Sequence, residues 1–293
     1  MRVPDTALDE IRTRGFTIIE GFLDDRELAA AREALWDNFP RPDTYFADPA
    51  AHDTFTRSQF AGLRLFPFQG WAINRLAFHP DLVDAVERYL GSADLQLYKI
   101  ELWGKYAGAI DYDQRLHRDF GNHSLVVPRA DGWGTQLTSF LLLSDVTEAD
   151  GPTRVVPVEH TNDLPLVLDN AGKPTFALPR GALTEHEVGV TGAAGTLFVY
   201  RTDVMHRGSN FTAPGRARFT LLADYQVRGP TWAGKMAWPD HALNPSFVEA
   251  MERATVRERD LFGFPRPGDP YWNAQTVTDV GRRYPNMDMT TYG

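Results

Sequence analysis

The sequence predicts a mainly β protein with flanking helices, whose strands build a sandwich or barrel over about residues 94–228. Three observations carry this. Short strand-like runs broken by Gly, Pro, Asn and Asp are concentrated in that region. Helix-period patterns occur on either side of it, in residues 1–93 and 229–293. No internal repeat or low-complexity linker divides the chain, so residues 1–293 are expected to form one domain. At 293 residues, 43% of them apolar and 12% aromatic, the chain can bury a substantial core.

In order, "GFTIIEGF" (15–22) is a β-branched run, and "LDDRELAAAREALWDNF" follows with acids in its first turn and apolar residues at helical spacing. Residues 41–79 are rich in aromatics without clear periodicity, which suits an irregular layer over the core or the wall of a cavity. "HPDLVDAVERYLG" reads as a helix that starts at Pro80, turns Leu82, Val83, Val86 and Leu90 to one side and stops at Gly91. Strands are then expected in "LQLYKIELWGKY", "QRLHRDF", "TQLTSFLLLSDV", "TRVVPV", "GTLFVY" and "RFTLLADYQV". Beyond "RGP" the pattern turns helical through "NPSFVEAMERATVRERDLFG", and the tail carries one more short helix between turns.

Composition removes several function classes. The net charge is −9 and the basic residues are scattered, which argues against a nucleic-acid partner. With no cysteine, the chain has no disulfide, thiolate nucleophile, iron–sulfur cluster or cysteine-ligated zinc, so any metal must sit on His, Asp or Glu. The N-terminus lacks the apolar core of a signal peptide, and no apolar run approaches the roughly 20 residues that span a bilayer. A cytoplasmic protein with a small-molecule partner and no membrane association is expected; oligomeric state is not legible.

The chemistry concentrates in "QRLHRDFGNHS" (114–124). On a strand, alternation sends His117 and Asp119 to one side and Arg118 to the other. "YRTDVMHRGSN" supplies His206, 89 residues beyond His117, just after a predicted strand. Two imidazoles and a carboxylate with open positions opposite them are the donor set of non-haem Fe(II) oxygenases. An H-x-D triplet alone is common and needs no metal. In "GRARFTLLADY", however, Arg216 and Arg218 share one strand face, and a guanidinium inside a barrel needs an anionic partner.

These features together resemble the phytanoyl-CoA dioxygenase family of Fe(II)/2-oxoglutarate-dependent oxygenases. The resemblance runs through "RGFTIIEGFLDDRELAAAREAL", "LHRDF", "LTSFLLLSDVTEADGPTRVVPVEHT" and "VMHRGSNFTAPGRARFTLLADY", in that order over about residues 10–228. It implies a double-stranded β-helix (jelly roll, cupin-like) core, with Fe(II), 2-oxoglutarate and O2 as cofactors. It implies His117, Asp119 and His206 as iron ligands, and Arg218 as partner of the distal carboxylate of 2-oxoglutarate, because Tyr225 follows seven residues later; Arg216 is held in reserve. Ser209 is the expected hydroxyl beside that carboxylate, although "HRGS" departs from the commoner "HGS". Gln136 and Thr138 are the preferred contacts for the co-substrate's other end, with Tyr98, Lys99 and Trp103 behind them. Asp119 favours hydroxylation or another oxidation over halogenation, since halogenating relatives put a small residue there.

The remaining histidines have simpler readings. His123 lies past Gly121 and Asn122 and is expected in a surface or substrate loop, and His160 is expected to be structural. His52, His79, His186 and His241 are expected at the surface or its boundary, and Asp111, Asp113 and Asp203 in turns. Two other readings stay open. A cupin-type isomerase, or a dioxygenase that does not use 2-oxoglutarate, would keep the ligands without needing the buried arginine. An inactive jelly-roll binding module would have lost a ligand. The expected substrate is a small or medium-sized metabolite, selected by residues 41–79, by "FALPRGALTEHE" and by the C-terminal region.

Overall fold

The computed structural model describes residues 1–66, 68–129, 136–227, 242–243, 245–256, 259 and 264–293. His241 and, from the expected helical stretch 244–263, residues 244, 257, 258 and 260–263 lie outside the described residues.

A helix that the sequence reading did not include, α1 (Asp5–Arg14), opens the chain and ends at Gly15, whose φ of 93° favours glycine. Then come β1 (Phe16–Ile19) and α2 (Asp25–Leu35), the latter capped by a reciprocal Asp24–Glu27 box. Residues 41–79 resolve into α3 (Pro42–Ala47), a 3-10 stretch, β2 (Leu63–Leu65) and α4 (Trp71–Asn74). Tyr45, Phe55 and Phe68 from this region are core residues, so part of it packs as a layer, as expected. The helix read in "HPDLVDAVERYLG" is α5 (Pro80–Leu90). His79 caps it through Asp81 N, lies buried beside Glu27 and is no surface residue.

The β region holds β3 (Leu95–Tyr106), β4 (Gln136–Leu142), β5 (Arg154–Val155), β6 (Leu168–Asn170), β7 (Lys173–Thr175), β8 (Val188–Gly189), β9 (Leu197–Arg201), β10 (His206–Arg207) and β11 (Ala217–Val227). Six strands form one antiparallel sheet in the order β1-β9-β4-β11-β3-β2, and a second sheet runs β10-β5-β8. "QRLHRDF" departs from expectation: it forms no strand, only single bridges at His117 before the short helix α6 (Phe120–His123).

Alternation divides the large sheet into two faces with different chemistry. Leu102, Leu141, Val199, Phe219, Leu221, Ala223 and Tyr225 pack outward against α1, α2 and α5 in the main core. Phe16, Phe198 and Tyr200 point inward and meet Val155 and Val188 from the second sheet, with Val204 from the turn before β10, which makes the two sheets a sandwich. Register lines up Tyr200, Thr138, Asp224 and Lys99 in one row across four strands of that inner face, and pairs Arg218 with Lys105 further along. At Tyr98 the β3–β11 register slips, which leaves an extra residue on β3, and the Tyr98 ring lies 5.9 Å from that of His123.

The C-terminal segment includes α7 (Pro245–Arg253) and α8 (Ala274–Arg283), as the helical pattern predicted. It builds a separate apolar cluster with the loop after Asp119, in which Met251, Phe264, Tyr271 and Tyr284 surround Phe120, Val126 and Val127. Buried Arg283 donates to four carbonyls of that loop: Phe120 and Val126 at 3.3 and 2.6 Å, Gly121 and Ser124 at 2.7 Å each. Gly121 is needed there, since a Cβ would stand 2.5 Å from the Phe176 ring. Among the described residues, no helix is long and apolar enough to cross a membrane.

A buried acceptor left without a donor costs about 1–3 kcal/mol. Arg283→Met is therefore expected to lower the unfolding free energy by at least about 2 kcal/mol in urea titration, because two of the four carbonyls, Gly121 O and Ser124 O, lose their only side-chain donor among the described residues.

Candidate metal centre

Backbone pairing brings the two histidines together. His117 N donates to His206 O at 2.9 Å and His206 N to His117 O at 3.0 Å, joining segments 89 residues apart. The imidazole centroids stand 4.7 Å apart. Asp119 does not arrive by strand alternation: it sits in αR conformation at the N-terminus of α6, and the chain's turn after the bridge brings it beside both rings. Its Oδ1 is 3.7 Å from His117 Nε2 and 3.5 Å from His206 Nε2. One ligand atom from each of the three side chains lies within 4.8 Å of the others, and among the described residues no other group of His and acidic side chains meets this condition.

Each ring is oriented in the same way. His117 Nδ1 lies 2.8 Å from Arg115 O and His206 Nδ1 lies 3.1 Å from Val204 O, in each case the carbonyl two residues earlier. A carbonyl only accepts, so the proton is fixed on Nδ1 and the Nε2 lone pair turns to the common centre. Tyr200 donates its hydroxyl to Asp119 Oδ2 at 3.1 Å, which leaves Oδ1 to face the imidazoles. Burial raises the Asp119 carboxyl, but His206, His123 and Lys99 together hold it well below the usual range. Burial and the neighbouring His206 lower His117, whereas His206 is raised by Asp119 against the effect of burial. Arg118 points away, as the H-x-D spacing implied, and donates to Asp203 O and Pro165 O.

The two arginines take separate roles. Arg216 lies just outside β11 and grips Asp150 through Nε and Nη2 at 2.6 and 2.9 Å. Arg218 is buried on the inner face, and its Nη1 has no hydrogen-bond partner among the described residues. Its cross-strand neighbour Lys105 is buried as well, with Nζ 4.8 Å above the Tyr112 ring and 5.5 Å from that of Trp103. Burial pushes Arg218 down to about 10, and burial together with Arg218 pushes Lys105 down to about 7. Two adjacent buried cations without a carboxylate in contact among the described residues make a receptor for an anion. Lys105 was not singled out in the sequence; its place in "WGKY", two residues after Trp103 on one strand face, was the available signal.

The other expected residues are accounted for as follows. Ser209 is buried, and its hydroxyl donates to Pro152 O at 2.6 Å. Gln136 Nε2 donates to Gln226 Oε1 and His123 O, while Thr138 stands in the Tyr200 row. Trp103 Nε1 donates to Glu101 at 3.2 Å, and Lys99 Nζ is 3.4 Å from His123 Nε2. His123 is not a surface residue: α6 turns it inward, 3.9 Å from Asp224, a carboxyl that burial raises to about 7. His160 and His186 stack with centroids 3.8 Å apart, away from the triad.

The match to the phytanoyl-CoA dioxygenase family model extends over residues 11–219. The chain belongs to the phytanoyl-CoA dioxygenase family. No curated protein matches its sequence. Among solved structures, the chain is similar to HygX from Streptomyces hygroscopicus with nickel and 2-oxoglutarate bound, at 18% identity and TM-score 0.54, over 78% of this chain and 89% of that one. It is similar to the epimerase SnoN in complex with Fe3+, alpha-ketoglutarate and nogalamycin RO, at 21% identity and TM-score 0.53, over 76% and 82%. It is also similar to EctD from S. alaskensis, at 20% identity and TM-score 0.52, over 77% of each chain. At these identities the likeness concerns the fold, which is the cupin-like double-stranded β-helix expected of this family.

Losing a hydrogen bond to a ligating carboxylate typically weakens metal affinity about 10–100-fold. Tyr200→Phe is accordingly expected to weaken Co(II) binding by about tenfold in anaerobic titration of apo-protein, with an unchanged far-UV spectrum.

Proposed function

We propose that the protein is an Fe(II)/2-oxoglutarate-dependent oxygenase that hydroxylates, or otherwise oxidises, an organic metabolite. The observation that carries this reading is the pairing of the His117–Asp119–His206 cluster with a buried, partnerless Arg218 Nη1 on the same inner face. The donor set fits iron: two Nε2 lone pairs and one carboxylate oxygen converge, and the proton on each Nδ1 is held elsewhere. In this role His117, Asp119 and His206 hold the metal, and Arg218 with Lys105 takes the distal carboxylate of 2-oxoglutarate. Iron with 2-oxoglutarate and O2 would supply the oxidising power, with succinate and CO2 as by-products.

The chain's own residues orient and shield. Arg218 offers its free Nη1 to one carboxylate oxygen, and Lys105 adds a second charge beside it. Trp103 and Tyr112 flank Lys105 and keep water from the ion pair, which strengthens it. Thr138, in the Tyr200 row, is the inward-facing hydroxyl nearest in register to the carboxylate's support and is proposed to contact the chelating end of the co-substrate. Gln136 fits that role less well because its amide already serves Gln226 and the His123 carbonyl. Ser209 has committed its proton to Pro152 and would serve only as an acceptor. The carboxylate of Asp119 occupies the coordination position a halide would need, which supports oxidation over halogenation. Similar folds include proteins described as an epimerase and a carbocyclase, so the test of reaction type is product analysis.

The deciding experiment compares two arginine variants. Anaerobic Fe(II) with 2-oxoglutarate is expected to give a weak visible charge-transfer band in wild type and in Arg216→Ala, and to need at least about tenfold more 2-oxoglutarate in Arg218→Ala, a loss of ~1.4 kcal/mol or more. A band insensitive to Arg218→Ala would overturn the anchor. No band despite bound iron would favour the cupin-type reading.

The lysine gives a pH signature. With its free-state value at about 7, Lys105 is charged below neutrality and loses its proton above it, and an anion binds only the charged form. Affinity for 2-oxoglutarate is therefore expected to be highest below pH 7 and to fall above it, by up to about tenfold per pH unit. Lys105→Met is expected to weaken binding at low pH and flatten the profile, as read by titration of the same band.

A further inference from the structure

Asp224 of β11 is a buried carboxylate that neither the metal ligands nor the Arg218–Lys105 pair employs. It is 1% exposed, and neither of its oxygens has a hydrogen-bond partner among the described residues. The groups around it come close without donating. His123 Nδ1 stands 3.9 Å from Oδ2, beyond hydrogen-bond reach. Lys99 faces Asp224 from β3, but its Nζ is 3.4 Å from His123 Nε2 and 3.9 Å from Glu101 Oε2. Thr138 faces it from β4 and draws the carboxyl down, yet its hydroxyl makes no hydrogen bond of ordinary length and angle. Burial outweighs these influences and raises the carboxyl to about 7. A buried acceptor without a donor is costly, so the site is complete only with donors that the described residues do not supply, from water or from a ligand.

Place favours a ligand. Tyr200, which holds Asp119, lies two strands from Asp224 in the same row, about 10 Å away at the usual strand spacing. Asp119 heads α6 and His123 ends it, so Asp224 and the ligating carboxylate flank one helical turn, and Asp119 acts on the charge of Asp224. The centre is most open on the side of His117, whose side chain keeps 30% of its surface against 15% for Asp119 and 8% for His206. We propose that Asp224 is a substrate-recognition residue, and that its two oxygens accept from a neutral pair of donors, a vicinal diol, on the molecule that lies over the metal. The inference rests on the oxygenase reading and adds to it the group by which the substrate is held. Charge argues for neutral donors. Lys99, directly opposite on the neighbouring strand with Cβ atoms about 5 Å apart, already balances Asp224, and a substrate ammonium would have to sit beside that lysine. A substrate carboxylate or phosphate would meet Asp224, Glu101 and Asp119. Hydroxyl groups meet neither objection, and two of them match two carboxylate oxygens.

Asp224→Asn tests this, since the amide keeps the size of the carboxylate and removes its charge and one acceptor. The probes are cis-1,2-cyclohexanediol, its dimethyl ether and cyclohexylamine, whose dissociation constants are measured by ligand-observed NMR on the metal-free protein. In wild type the diol is expected to bind at least about tenfold more tightly than the ether or the amine, and in Asp224→Asn that advantage is expected to fall to about twofold or less. Equal affinities in wild type, a preference for the amine, or an unchanged advantage in Asp224→Asn would overturn the proposal; the wild-type comparison decides even where the variant does not fold. Mn(II) and 2-oxoglutarate are then added, and the protons of the bound diol are expected to relax faster in wild type. A diol that binds through Asp224 but is untouched by bound Mn(II) would overturn its placement over the metal. Failure of Mn(II) itself to bind, read from its electron paramagnetic resonance signal, would sink the oxygenase reading and leave the affinity comparison in force.

Discussion

The site depends on one pair of backbone hydrogen bonds, the mutual N–H to C=O exchange between His117 and His206. Side-chain chemistry follows from it. Once the two backbones are paired, each imidazole reaches the carbonyl two residues upstream on its own chain, and that bond fixes tautomer and ring plane together. Asp119 then needs only the turn into α6 to meet both rings. The arrangement does not rely on long flexible side chains, and a donor set built this way is preorganised before any ion arrives.

The inner face carries charge at a depth where charge is costly. Glu101, Lys105, Arg218 and Asp224 are buried on the strands that line it, and the Lys99 side chain is largely covered beside them. Register spaces them: Lys99 and Asp224 face each other in one row, Glu101 lies in the next, and Arg218 and Lys105 share a row further along. Opposite charges meet at the metal end, where Lys99 stands beside both Asp224 and Asp119 in electrostatic terms. Like charges meet at the other end, an unfavourable arrangement unless an anion joins them. The polarity of the face thus runs from a self-compensated end to an end that an anion would compensate.

Much of this was legible in the chain. Alternation and turn residues gave the strands, because a two-sided sheet imposes a period of two on whatever it buries. The resemblance singled out the second arginine through Tyr225 seven residues later, and burial separates Arg218 from Arg216, whose half-exposed side chain is held by buried Asp150. Other features left no periodic trace. "QRLHRDF" reads as a strand, yet a single bridge and a helical turn align His117 with Asp119, and sequence spacing cannot tell these geometries apart. Lys105 looked like an ordinary strand lysine until its neighbours excluded water. His123 followed a Gly-Asn pair that reads as a surface turn, but α6 turns it inward beside Asp224, and the loop that carries α6 is covered by a cluster supplied from more than 100 residues away. Contacts of that range are set by tertiary packing alone.

That cluster also orders events in time. The carbonyls of residues 120, 121, 124 and 126 are held by Arg283, and the Tyr271 and Tyr284 hydroxyls bond residues 127 and 125. During synthesis the sandwich can close as soon as β11 emerges, whereas the loop behind Asp119 waits for residues 271–284, which are made after β11. The protein therefore completes its β scaffold before the loop behind Asp119 is held, and a chain stopped short of Arg283 would have the strands without the support of that loop.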